Sequence, residues 1–151
     1  MSFTMEIPSA YGYVVLSCGV LPTIVNMYMA GKIMKARDEF DVKYPNLYAT
    51  PGFHKKADEF NRVQRGHQSY VENLTNYVTM SLLGGLQHPL AVAFGGVCYA
   101  VGSILYMSGY SDTALDVSKA RHLKGGPIKY IGFFTSLISS VKFGGAVAGL
   151  W

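Results

Sequence analysis

The chain has 151 residues, enough for one domain, and half of them are hydrophobic while only 15% are charged, against roughly 25% in soluble domains. That composition excludes a disordered chain and argues against an ordinary soluble domain, and two cysteines, Cys18 and Cys98, exclude a disulfide scaffold or a four-cysteine zinc site. The net charge of +4 would suit nucleic acid, but apolar blocks about 20 residues long point to a membrane instead.

The charge shortage is uneven. No Asp, Glu, Lys or Arg lies between Glu6 and Lys32, between Glu72 and Asp112, or after Lys142. A bilayer core of about 30 Å needs about 20 apolar helical residues, and four stretches qualify. The first runs from about Tyr11 to Met34, interrupted by Pro22, Asn26 and Lys32. A cleaved signal peptide would carry basic residues before its apolar run; here there is only Glu6, so this is read as a retained span. A long polar connection, Lys35 to Gln68, follows. The second span, about 69–86, begins polar with Glu72, Asn73 and Asn76. Only Gln87–His88 separates it from the third, about 89–110, which has no charge. Ser111 to Gly126 then leads to the fourth, about 127–150, with Lys129 near one end and Lys142 deeper in. The expectation is one all-α domain over residues 1–151, an integral membrane bundle of four helices arranged as two hairpins.

Basic residues set orientation. Of the 13, all but Lys142 fall at the end shared by the first and third connections. That end is expected to be cytoplasmic, with both termini on the other side. The same lysines and arginines would touch anionic lipid heads. No groove-reading motif supports a nucleic-acid partner.

Polar residues within a span are costly and ask for a reason. Arg65, Ser69, Glu72, Asn73 and Asn76 fall on one helical stripe. Arg65 and Glu72 stand about 10 Å apart along the axis, which reads as too far for a simple pair and well placed to grip two ends of a zwitterion. The same stripe would also serve to join neighbouring helices by hydrogen bonds, and the spacing leaves both readings open. Tyr106 and Tyr110, at i and i+4, put two phenols on one face near the cytoplasmic surface, as a ligand site or as an aromatic belt. Lys119-Ala120-Arg121-His122 borders the fourth span and reads as a topological anchor or an anion site; Arg37, after the first span, has the same two readings. His67, Glu72 and His122 have no metal-ligand spacing. Gly95-Gly96, Gly102, Gly144-Gly145 and Gly149 suit close helix packing, and Cys18 and Cys98 read as small apolar fillers.

Taken together, these residues resemble a known family. Phe60-Asn61-Arg62-Val63-Gln64-Arg65-Gly66-His67-Gln68-Ser69-Tyr70-Val71-Glu72-Asn73 is similar to the block F-N-x-[VI]-Q-R-[GA]-H-Q-x-x-x-E of the MAPEG family (membrane-associated proteins in eicosanoid and glutathione metabolism), in particular its microsomal glutathione S-transferase type 3 branch. Lys35-Ala36-Arg37 followed by Tyr44-Pro45, His88-Pro89, and Leu105-Tyr106 with Gly109-Tyr110 support the resemblance, which covers almost the whole chain.

The resemblance implies a four-helix protomer assembling as a homotrimer in the endoplasmic reticulum or a related membrane, with glutathione between protomers near the cytoplasmic face. By position, Arg37, Arg65, Glu72, Tyr106 and Tyr110 match family glutathione contacts; Ser69 and Asn73 lie on the same stripe. The family holds the thiolate with an arginine shortly after the second tyrosine. Arg121 is the candidate here, with Lys119 second, and Tyr110 either donates to the sulfur or frames the pocket. Three departures stand out: Asp38 where leukotriene-forming relatives carry a second arginine, Ser69 where relatives usually have Asn, and a segment, Ser111 to Lys119, that does not align.

Glutathione brings two carboxylates, an ammonium and a thiol, to which arginines and Glu72 are complementary. A guanidinium beside the thiol favours the thiolate, the nucleophile. The thiolate would attack a hydrophobic electrophile, as a transferase, or reduce a lipid hydroperoxide, as a peroxidase. Two other readings compete: a catalytically silent lipid-binding scaffold of the same family, and a small channel or transporter subunit using Glu72 and Lys142 as intramembrane charges.

Overall fold

The computed structural model describes residues 6–150; the expected domain limits at residue 1 and at Trp151 lie outside them. Every regular element among the described residues is helical. The first helix, α1, spans Tyr11–Phe40. Its first third contains a π-helical turn, Val15–Val20, which ends two residues before Pro22. Proline has no N–H and its ring crowds the carbonyl four residues back. A wider turn, with Leu21 N–H bonded to Leu16 O, carries the helix past that defect. The helix stops where Asp41 turns left-handed at φ 55° and bonds back to Arg37 O, a conformation Asp tolerates better than most residues.

The second helix, α2, spans Ala57–Gly84. At 28 residues it is about 42 Å long. It begins twelve residues before the expected span start at Ser69, and α1 likewise runs to Phe40 rather than Met34. The polar connection is thus residues 41–56. Hydropathy marks where a helix meets lipid, not where it begins. Asp58 and Glu59 in the first turn of α2 suit the positive end of the helix dipole, so charges that look like loop in the sequence belong to the helix. The third helix, α3, spans Pro89–Tyr110 with Pro89 in its first turn. The connection after it contains a short helix not expected from the sequence, α4, Val117–Leu123, capped by Asp116 accepting from Ser118 N–H at 2.9 Å. The fifth, α5, spans Ile128–Val147.

Three helices, α1, α3 and α5, are long and apolar enough to cross a membrane. The polar stripe of α2 keeps it out of that set. α2 and α3 each pack against both α1 and α5. The main core lies where they meet: Val14, Cys18 and Met29 of α1, Tyr77 of α2, and Val92 and Tyr99 of α3. Tyr77 stacks on Tyr99 at 3.6 Å, and its hydroxyl meets Cys18 Sγ at 3.4 Å. Leu16, Ile24, Phe94, Val97, Phe134, Ile138 and Val141 point outward and exposed, which suits acyl chains. A second cluster of Ala36, Val42, Ala49, Ala57 and Phe60 ties the 41–56 connection to the start of α2.

α3 and α5 approach through glycines. A Cβ on Gly102 would meet the backbone nitrogen of Lys129, and one on Gly132 the carbonyl of Gly95. This contact fixes the first turn of α5, with Lys129 in it, against α3.

Candidate functional site

The start of α2, the end of α3, α4 and the start of α5 share one end of the molecule and enclose a cleft of about 370 Å³. α2 contributes Arg65, Ser69, Glu72 and Asn73; α3 contributes Tyr99 and Tyr106; α4 contributes Arg121; α5 contributes Lys129, Tyr130, Phe133 and Phe134. Larger recesses exist: one of about 510 Å³ is almost wholly apolar and bounded by Tyr13, Leu16, Leu90 and Phe94, and one of about 580 Å³ is lined by Lys32, Lys35, Lys124, Glu39 and Asp112. The 370 Å³ cleft combines three cations and a carboxylate with a wall of five aromatic side chains.

The stripe on α2 comes together as its spacing requires, with one correction. Arg65 Nη1 lies 2.8 Å from Glu72 Oε1, and both side chains are about half exposed, at 45% and 46%. The expectation that the two are too far apart to pair is wrong. The backbone rise of about 10 Å is spanned because both are long side chains leaning toward each other along one face. Ser69 is buried, and its carbonyl accepts from Asn73 Nδ2 at 2.8 Å.

Tyr106 is buried, and its ring lies parallel to that of Tyr110 with centroids 6.1 Å apart. Tyr106 lines the cleft; Tyr110 is not among the lining residues. Arg121 is exposed, and its Nε donates to His122 Nε2 at 3.2 Å. Lys119 does not reach the cleft lining. Arg37 sits elsewhere: Nη1 donates to Val42 O at 3.1 Å and the guanidinium covers the rings of Tyr44 and Phe60. His67 bonds Asn26 of α1 at 2.8 Å, and among the described residues no group of His, Cys, Asp and Glu is placed to hold a metal ion.

The cleft also contains residues the sequence did not single out. Lys129 is buried, with Nζ 3.7 Å from the centre of the Tyr106 ring and 5.3 Å from that of Tyr130. Tyr99, Phe133 and Phe134 complete the wall. The signal for Tyr99 was its seven-residue offset from Tyr106 on one apolar helix. Lys129 stands in the first turn of a span, where a charge reads equally as an anchor.

Outside the cleft lining, Arg62 Nη2 donates to Leu115 O at 2.8 Å, linking α2 to the segment before α4. Lys124 pairs with Asp112 at 2.8 Å across that segment. The Lys124 ammonium and the Ala114 N–H hold the Asp112 carboxyl below the usual carboxylate range.

The fold and cleft define a helical membrane protein with three cations and one carboxylate lining a cleft at one end of the helices, beside an aromatic wall. A model of the MAPEG family matches residues 15–146, and the chain belongs to that family. Its members include glutathione transferases, peroxidases and eicosanoid synthases.

Proposed function

We infer that the protein is a membrane glutathione transferase and peroxidase, and that glutathione binds in the cleft between α2, α3 and α5. The observation that carries this reading is the match of charges. The cleft presents Arg65, Arg121 and Lys129 with Glu72; glutathione has two carboxylates and a thiol that ionises, with one ammonium. The Arg65–Glu72 pair is half exposed, so it holds itself together by only about 0–1 kcal/mol. Replacing each half by a ligand carboxylate and the ligand ammonium therefore costs little.

Free glutathione is only a few per cent thiolate at neutral pH, as expected for a thiol near 8.5. A neighbouring cation lowers that value. The thiolate sulfur then forms a bond to an electrophilic carbon, either displacing a leaving group that departs with the bonding pair or adding to a polarised double bond whose carbanion takes a proton from water. With a lipid hydroperoxide it attacks the outer oxygen, the O–O bond breaks, the lipid leaves as an alkoxide that takes a proton from water, and a second glutathione reduces the resulting sulfenic acid to the disulfide and water. Phe133 and Phe134 provide the surface along which an apolar substrate arrives from the bilayer. In this reading α2 is the fourth membrane span, the basic end is cytoplasmic, and the chain forms a homotrimer in the endoplasmic reticulum or a related membrane. Arg37, engaged with Val42 O, then supports the 41–56 connection in its own protomer.

The test is turnover of purified protein in nanodiscs with an apolar electrophile and with a lipid hydroperoxide, alongside glutathione binding, for wild type and Arg65→Ala. Turnover in the wild type and at least tenfold weaker binding in the variant are expected. Binding without turnover would favour a silent lipid-binding scaffold. Ion conductance in liposomes without glutathione chemistry would favour the channel reading.

A further inference from the structure

The charges of the cleft do not cancel. Arg65 and Glu72 satisfy each other, which leaves Arg121 of α4 and Lys129 of α5. Among the described residues neither has a carboxylate within ion-pair distance. Their settings differ. Arg121 is exposed at the mouth and already donates to His122. Lys129 is 9% exposed, with Nζ over the face of Tyr106. An aromatic face returns about 0.5–2 kcal/mol to a cation, whereas burying an ammonium costs several. The ring alone does not settle that charge, and an anion brought by the ligand would. The position is fixed, because Gly102 lets α3 press against the Lys129 backbone. Phe133, one turn along α5, puts the aromatic wall next to it.

We propose that Lys129, rather than Arg121, holds the sulfur anion, and that Arg121 holds a glutathione carboxylate at the mouth. This rests on the reading of the cleft as a glutathione site. Bound as thiolate, glutathione has two negative charges in excess, and the cleft has two uncompensated cations. Carboxylates are strongly hydrated and are served best at the exposed guanidinium. A thiolate is larger and more weakly hydrated, and gains most from the buried ammonium. There it also lies beside the wall that an apolar electrophile reaches. The thiol proton leaves to water through the mouth, and no electrons are transferred in this step. The other charged or titratable groups lining the cleft are Arg65 and Glu72 from α2, Tyr99 and Tyr106 from α3 and Tyr130 from α5.

The test uses full-length protein in nanodiscs at saturating glutathione, with thiolate absorbance followed against pH for wild type, Lys129→Gln, Lys129→Arg and Arg121→Gln. A second readout is the affinity for glutathione sulfonate, which carries a permanent anion at the sulfur position. Lys129 has no acidic partner, so its neutralisation strands no opposite charge, and Lys129→Gln is expected to fold. It should show roughly tenfold less thiolate at neutral pH and lose the preference for the sulfonate over glutathione. Lys129→Arg should keep both. Arg121→Gln should bind glutathione more weakly and still show the wild-type thiolate fraction once saturated. Wild-type thiolate in Lys129→Gln, or its loss in saturated Arg121→Gln, overturns the assignment, and the Arg121 arm decides alone if Lys129→Gln does not fold. Glutathione bound to wild type with no thiolate overturns the underlying reading as well, which separates the two failures.

Discussion

Arg65 and Glu72 meet at 2.8 Å across two helical turns, and what that contact is worth decides how the site responds to mutation. Both side chains are half exposed, so Glu72→Gln should change thermal stability by less than about 1 kcal/mol. If glutathione binds as proposed, the same change removes the charged partner of its ammonium, a bond worth about 1.5–3 kcal/mol. Glutathione affinity measured by titration calorimetry should therefore fall by roughly tenfold or more while the melting point hardly moves. An unchanged affinity would remove Glu72 from the site. The α2 stripe was legible because helical period and polar identity coincide: Arg65, Ser69, Glu72 and Asn73 share a face by spacing alone. Lys129 was not legible as part of the cleft. A lysine in the first turn of an apolar helix has the sequence appearance of a topological anchor, and only its burial against Tyr106 separates the two roles. Tyr110 shares a face with Tyr106 and its ring lies parallel to it, and of the two only Tyr106 lines the cleft within one protomer.

The contact between α3 and α5 is the element-scale feature that positions the site. Gly102→Ala would put a methyl group into the Lys129 backbone. Overpacking of this kind costs about 1–3 kcal/mol, so the variant should melt earlier in detergent and, having displaced the first turn of α5, bind glutathione more weakly. Gly144→Ala on the same helix, where a Cβ meets nothing within 4 Å, should do neither. The mooring of α4 is pH-dependent. Its Asp112 carboxyl is held below the ordinary range by Lys124 and the Ala114 N–H. A lowered folded-state value means the link contributes fully at neutral pH and is lost as pH falls through that value. Backbone amides of residues 111–126 should exchange faster at about pH 3 than at pH 7 once the intrinsic rate is corrected, and Lys124→Met should remove most of the difference. α1, α3 and α5 were legible from hydropathy because they face lipid. The true start of α2 and the whole of α4 were not, since their charges and short length resemble loop until capping and packing are seen.

At the scale of the whole molecule, three helices are long and apolar enough to cross a membrane, and α2 carries the polar stripe that lines the cleft. Reading α2 as the fourth span predicts that single cysteines placed at residues 55 and 119 are labelled from the cytoplasmic side and one at residue 87 only from the opposite side. Homotrimeric assembly predicts three copies per particle by native mass spectrometry. The class of fold and much of the cleft follow from residue order, because membrane helices leave few alternatives for a chain this short. The sorting of cations between buried and exposed positions does not, because it depends on how closely α3 and α5 approach. Activation of a thiol in this cleft is read most directly from the ultraviolet absorbance of glutathione bound to wild-type protein in nanodiscs, followed against pH. Thiolate should dominate at neutral pH, with ionisation displaced about two units below the free value of about 8.5. Bound glutathione that ionises no earlier than in water would contradict it.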